Sequence, residues 1–240
     1  ADGADLGRTG RGEPLRRAAK ATLNIHQHGT NDHYASSNYV QKAGATGELI
    51  YNVISCLKIP LNKNIASCLY AAITTDTGNF SYGNTTPDTM RIAADILDTG
   101  IDLPFLNRCL FRTVPFHKLK LQALGINKAQ LYEFGRIGIS TITLADIASC
   151  GATNEDTEGI IDSIRDIDSV EIAALLRESE DGLIRVSLRG KTCADVSKIA
   201  IQFGGGGHRL AAGCTMQPPI ATAAEQILAL AKELLHGICE

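Results

Sequence analysis

Four consecutive glycines, Gly204, Gly205, Gly206 and Gly207, run directly into His208 and Arg209. Glycine has no Cβ, so such a run can turn tightly and let a ligand touch the backbone. Its amides can converge on one anion, such as a phosphate. A helix starting just beyond would add positive potential, and His208 and Arg209 stand where they would meet the same anion. By itself the run is equally a flexible linker. Its flanks favour a site: residues 195–203 read as a short amphipathic helix, and Ala211, Ala212 and Gly213 suit close packing. A linker is not wedged between packed elements. Two other groups carry chemistry. A short apolar strand, 21–25, leads into His26, Gln27 and His28. Ligands bind at strand ends in open α/β sheets, and an HxH there is a metal-ligand candidate. Asp76 closes the apolar stretch 71–75, which reads as a buried strand, and precedes Thr77 and Gly78. An aspartate so placed is equally a helix cap. Asp2, six residues before Arg8, reads on its own as a solvated acidic terminus.

The elements that must position these residues follow from periodicity and punctuation. Residues 46–57 and 63–70 read as helices, with Thr46 a cap for the first. Residues 85–100 form a helix with Pro87 in its first turn and Gly100 past its end. Residues 105–114 and 118–123 are helical on either side of Pro115, which marks a connector between two domains. His117 reads as a surface residue without a partner. From Gln130 the pattern switches: 132–137 and 139–144 alternate as a hairpin with Gly138 near its turn. Short helices follow over 144–150 and 158–165, the latter capped by Thr157. Strands are expected over 170–177, 182–188 and 214–217, and a closing amphipathic helix over 221–236.

Composition narrows the function classes. The 240 residues suffice for one large or two modest domains. A formal net charge of -3 gives no global basic field for long nucleic acid, but a local site for a small anion remains compatible. With no Trp, any base stacking falls to Tyr, Phe, His or Arg. The 7 cysteines are scattered without a CxxC pair, which argues against zinc and a disulfide framework and for a cytoplasmic location. Most of them read as small core residues. No segment has the length and apolarity of a membrane span.

The segment VSLRGKTCADVSKIAIQFGGGGHRLAAGCTM resembles the C-terminal DHHA1 substrate-binding module of the DHH phosphoesterase superfamily. The likeness is greatest to bacterial enzymes that degrade short oligoribonucleotides and dephosphorylate 3′-phosphoadenosine 5′-phosphate. Arg189, the helix and the glycine run with His208 come in the family's order and spacing, although Gly190 stands where the family usually has serine. The resemblance implies an α/β fold: an N-terminal parallel-sheet DHH lobe, incomplete because its first, DxD-type motif is missing, and a C-terminal mixed-sheet DHHA1 lobe. The boundaries would be 1–114, a connector over 115–129, and 130–240. It further implies two Mn²⁺ ions, with Asp2, His26, Gln27 and Asp76 at metal positions, Asp76 as the bridging ligand, and His28 and Asp76 as catalytic residues. Arg189, Gly204, Gly205, Gly206, Gly207 and His208 would hold the substrate nucleotide, with His28 facing the scissile phosphate.

In such enzymes a pair of divalent metals generates the nucleophile and stabilises phosphoryl charge. Here Asp-His-His has become His26-Gln27-His28. An amide replaces an imidazole, and an imidazole replaces a carboxylate, so two cations would be poorly neutralised. Three readings follow from the resemblance: a Mn²⁺-dependent phosphodiesterase and 3′-phosphatase, a catalytically impaired nucleotide-binding protein or fragment, and a cyclic dinucleotide phosphodiesterase. The partner expected is short RNA or a small phosphorylated nucleotide, with no membrane; the oligomeric state stays open, a homodimer included.

Overall fold

A computed structural model describes residues 10, 12–27 and 31–237. The chain divides into two compact units, one ending at Thr113 and one beginning at Val114.

In the first unit, helix α1 (Glu13–Ala18) precedes strand β1 (Leu23–His26), which pairs in parallel with β2 (Ser37–Val40). Helices α2 (Thr46–Cys56), α3 (Lys63–Asp76) and α4 (Pro87–Asp98) pack around Leu49, Ile73 and Ile96, all essentially fully buried. The starts of α3 and α4 have a local cause. The Asn62 side chain accepts from the amides of Asn64 and Ile65, and Thr86 and Thr89 cap α4 reciprocally behind Pro87. The cap expected of Thr46 is not made: Ala45 holds the cap position, and Thr46 is already helical. Its hydroxyl is buried without a partner among the described residues. A short helix, α5 (Leu103–Asn107), and a π-helical turn (Arg108–Arg112) end the unit.

The expected strand over 71–75 does not form. Helix α3 continues through it to Asp76, because Leu69, Tyr70, Ile73 and Thr74 lie on the inward face at helical spacing. The Thr74 and Thr75 hydroxyls bond back to carbonyls one turn earlier, which lets β-branched polar residues end a helix.

The second unit opens with α6 (Phe116–Asn127), which spans most of the stretch read as a connector and buries Leu121 in this unit's core. A six-stranded sheet follows: β3 (Gln130–Tyr132), β4 (Ile137–Ile142), β5 (Ile172–Glu178), β6 (Ile184–Gly190), β7 (Gly206–His208) and β8 (Ala211–Met216), in the spatial order β3-β4-β5-β6-β8-β7. Only β4 and β5 run parallel; the crossover between them carries α7 (Leu144–Cys150), a 3₁₀ turn (Asn154–Thr157) and α8 (Ile160–Arg165). Helices α9 (Ser197–Gln202) and α10 (Ile220–His236) complete the unit.

Strand alternation sorts the side chains into two cores. Ile172, Ala174 and Leu176 of β5 pack with Ile184, Val186 and Leu188 of β6 beneath α9 and α10. The α10 contribution is Ala223, Ile227, Ala231 and Leu235, one residue per turn. Ala173 and Leu175 point the other way, into the core with α6, α7 and α8. Both faces are therefore covered along β4 and β5, as a parallel pair requires.

Four local expectations need correction. The hairpin turn lies at 133–136, and Gly138 is inside β4, where a Cβ would meet Ile164 at 2.6 Å. The cap residue of α8 is Gly159, while Thr157 ends the 3₁₀ turn and accepts from Arg177. His117 does have a partner, Asp156, at 3.4 Å. Of the described cysteines only Cys150 and Cys214 are buried, and Cys56, Cys68 and Cys109 are exposed.

Candidate phosphate-binding site

Strand β7 is made of the last two glycines of the run and His208. It lies at the sheet edge, antiparallel to β8, with Gly206 opposite Gly213, Gly207 opposite Ala212 and His208 opposite Ala211. The sequence reading had this stretch as a loop, so its pairing is a finding of the structure. The run leaves α9 through a helix-end motif, in which the Gly205 amide donates to the Ala200 carbonyl at 2.9 Å. Gly204 takes the left-handed φ of +70° that this exit requires. At Gly205 and Gly207 a Cβ would lie 2.2 and 2.5 Å from the carbonyl oxygens of Gly213 and Ala211. Neither contact tolerates a side chain. Gly206 differs: nothing lies within 4 Å of where its Cβ would be. The fold demands three of the four glycines and leaves the fourth unexplained.

Arg189 belongs to the same construction. It pairs with Ala211, which also pairs with His208, so the three lie in one row across β6, β8 and β7. Directly opposite residues of antiparallel strands project to the same face. Arg189 and His208 therefore share a face, about 10 Å apart in Cα position at two strand spacings. That face is the one opposite Leu188 and Ala212, whose side chains enter the core under α9 and α10. Asp162 Oδ1 stands 3.5 Å from the Arg189 guanidinium, and Arg189 also donates to the Leu188 carbonyl at 3.1 Å. The whole of β7 is exposed. A row of glycine backbone, imidazole and half-buried guanidinium suits a phosphate monoester or diester.

Of the residues read as metal positions, Asp2 lies outside the described residues, and so does His28, read as catalytic and substrate-facing. His26 and Gln27 are buried at the carboxyl end of β1. Gln27 Nε2 donates to Asp76 Oδ2 at 3.2 Å, bringing together two residues 49 positions apart. Asp76 is exposed at the last position of α3, neither at a strand end nor at a helix N-terminus. A cavity of about 850 Å³ beside it is lined by Leu23, Ile25, Ile50 and Leu69 together with Asn24 and Asp76.

The Gln27 contact bears on the metal. An amide oxygen turned toward a carboxylate would repel it, so the nitrogen faces Asp76. The group facing the carboxylate is then a donor, and Gln27 Oε1 is buried without a partner among the described residues. A cation needs acceptors there. No three His, Cys, Asp or Glu side chains gather in a metal-holding group among the described residues. Among the described residues, with Asp2 and His28 outside them, that donor set is short of acceptors for two Mn²⁺ ions.

Residues 140–237 match the DHHA1 domain. The chain is also 31% identical over 216 residues to the bifunctional oligoribonuclease and PAP phosphatase NrnA of Thermus thermophilus, across 89% of this chain and 64% of that protein. Residues 140–237 are thus a DHHA1 domain, and the chain as a whole is similar to members of the DHH/DHHA1 phosphoesterase superfamily. A second superfamily relative, a probable NrnA of Streptococcus mutans, is 33% identical over 194 residues, covering 80% of this chain and 61% of its own length. The chain thus spans less than two thirds of either curated relative, at 64% and 61%. Among solved structures of this fold, an exopolyphosphatase-related protein from Bacteroides fragilis superimposes with a TM-score of 0.90 at 22% identity, over 100% of this chain and 72% of that one. The match to DHHA1 contains β5 to α10 and so the whole row of Arg189, Ala211 and His208, with Gly206 beside it. Among the described residues no helix is long and apolar enough to cross a membrane.

Sequence reasoning singled out the glycine run, Arg189, Gln27 and Asp76, but it missed Asp162 beside Arg189. It also missed Glu171, a buried carboxylate described below. Glu171 sits one residue before a strand, with no motif around it to mark it.

Proposed function

We propose that the second unit holds the phosphate of a short oligoribonucleotide or of 3′-phosphoadenosine 5′-phosphate, on the face shared by Arg189, β7 and His208. The supporting observation is Gly206. Its three neighbours in the run are glycine for reasons internal to the fold, whereas Gly206 has open space where a side chain would stand. A ligand approaching the backbone at that point accounts for the missing side chain. The names of the two curated relatives agree with this ligand class, since both are oligoribonucleases and PAP phosphatases.

For the chain as a whole the reading is a member of a Mn²⁺-dependent phosphoesterase lineage. The Gln27–Asp76 contact favours a second reading for this particular sequence, in which nucleotide is bound but poorly hydrolysed. Calorimetry with phosphoadenosine phosphate and with a 5′-phosphorylated dinucleotide tests the binding claim. Arg189→Ala should weaken affinity about 10- to 100-fold, the usual worth of a hydrogen bond to a charged group. Gly206→Val should weaken it as well without unfolding the unit, because a Cβ there has no protein atom within 4 Å. Unchanged affinity in both variants would reduce the arm to a connector.

A further inference from the structure

Glu171 lies just before β5, and its carboxylate is buried. Its Oε1 accepts from three successive backbone amides, Thr192 at 3.1 Å, Cys193 at 2.8 Å and Ala194 at 2.8 Å. The Cys193 thiol adds a contact at 3.3 Å, and Oε2 accepts from the Thr192 hydroxyl at 2.7 Å. The Glu171 carbonyl takes the Lys191 amide at 2.9 Å. One residue thus fastens every amide from Lys191 to Ala194.

The loop so fastened is a hub. On its far side the Cys193 carbonyl accepts from Arg209 Nη2 at 2.9 Å. The Val196 amide donates to the Arg209 carbonyl at 2.8 Å, and the Gly190 amide to the Leu210 carbonyl at 3.0 Å. Arg209 and Leu210 are the turn between β7 and β8. The loop also leads into α9, whose last turn holds Gly204 and Gly205 through the carbonyls of Ile201 and Ala200. Both ends of the glycine arm therefore trace back to the segment that Glu171 holds. A carboxylate surrounded by amides is a strong, charge-assisted arrangement that tolerates little displacement. Burial alone would push the Glu171 carboxyl up. The Ala194 amide, the Thr192 hydroxyl and the Cys193 and Thr192 amides outweigh that and bring it down to about 2.

We propose that Glu171 is a positioning residue for the phosphate arm. It touches no ligand, but by gathering the amides of Thr192, Cys193 and Ala194 it fixes the loop from which Arg209, His208 and the glycine strand are hung. The inference rests on the reading of the arm as a phosphate site.

The test compares wild type with Glu171→Gln and Glu171→Ala, using Arg189→Ala as the control. Binding of phosphoadenosine phosphate is measured by calorimetry, and amide hydrogen exchange is followed separately in the arm region (Gly190, Val196, Gly205) and in the central strands β4 and β5. Glu171→Gln keeps the shape and one acceptor oxygen but loses the charge. It should weaken binding about tenfold, by the loss of charge-assisted hydrogen bonds. Exchange should quicken in the arm region and stay unchanged in β4 and β5. Glu171→Ala should do both more strongly. If Arg189→Ala weakens binding and neither Glu171 variant does, the positioning role is wrong and the phosphate site stands. If wild type binds no nucleotide, the phosphate reading fails and exchange still decides the clamp. Arm-specific loosening supports it. An exchange increase equal in the arm and the central strands overturns it.

Discussion

At the scale of single residues, the contact between Gln27 and Asp76 bears on how the first unit would treat a cation. Its geometry presents an amide N–H to the one carboxylate that the resemblance makes a bridging ligand. Replacing His26 by Asp and Gln27 by His adds a carboxylate and an imidazole at the end of β1 and removes the competing donor. The double variant should bind Mn²⁺ at least about tenfold more tightly than wild type, a gain of about 1.4 kcal/mol, measured by titration followed by electron paramagnetic resonance. Equal affinity in the two proteins, or brisk Mn²⁺-dependent cleavage of a diribonucleotide by wild type, would contradict this account. Both residues could be singled out in the sequence because they stand in recognisable motifs. Their hydrogen bond could not, since it spans 49 positions and depends on how β1 sits against α3.

At the scale of elements, the segment between β6 and α9 is held by a charge, and that gives it a pH dependence. The Glu171 carboxyl falls from its ordinary 4.5 to about 2 in the folded protein. A lowered value means that the folded state favours the ionised form. The stabilisation is fully present above about pH 4.5 and is lost as pH falls from there toward 2. Urea unfolding of wild type and Glu171→Gln should show a stability gap that is constant near neutrality and narrows below pH 4.5. A gap that stayed constant to pH 3 would mean that the carboxylate is not the source. Elements also show where sequence patterns mislead. The boundaries of α7 are legible to the residue, because Thr143 and Asp146 form a reciprocal cap and Gly151 ends the helix in the left-handed conformation. The end of α3 is not legible. The run from Ala71 to Thr75 has the β-branched composition of a strand, and only packing against the other helices makes it helical.

At the scale of the whole molecule, the chain divides at Thr113/Val114, ahead of the change of pattern at Gln130, because α6 packs with the six-stranded sheet of the second unit. Strand β6 was readable because it buries alternate side chains, and β5 because it is a continuous apolar run covered on both faces. The strand character of β7 was hidden, since glycine carries no pattern by which a strand is recognised. What the second unit needs in order to fold and what the arm needs in order to bind diverge at that strand.

Gly206 is where they diverge most sharply. Its surroundings leave room for a methyl group, and its φ lies outside the left-handed range. Alanine there would cost the folded state little, while it would remove backbone freedom from the unfolded chain, worth about 0.4–1 kcal/mol of stability. Gly206→Ala should therefore melt slightly higher than wild type and bind phosphorylated nucleotide less tightly, as differential scanning calorimetry and titration would show together. If the arm binds phosphate as proposed, the glycine is a standing concession of thermal robustness to recognition. A selection for stability alone would erode this position first and leave Gly205 and Gly207, which the fold itself protects, untouched.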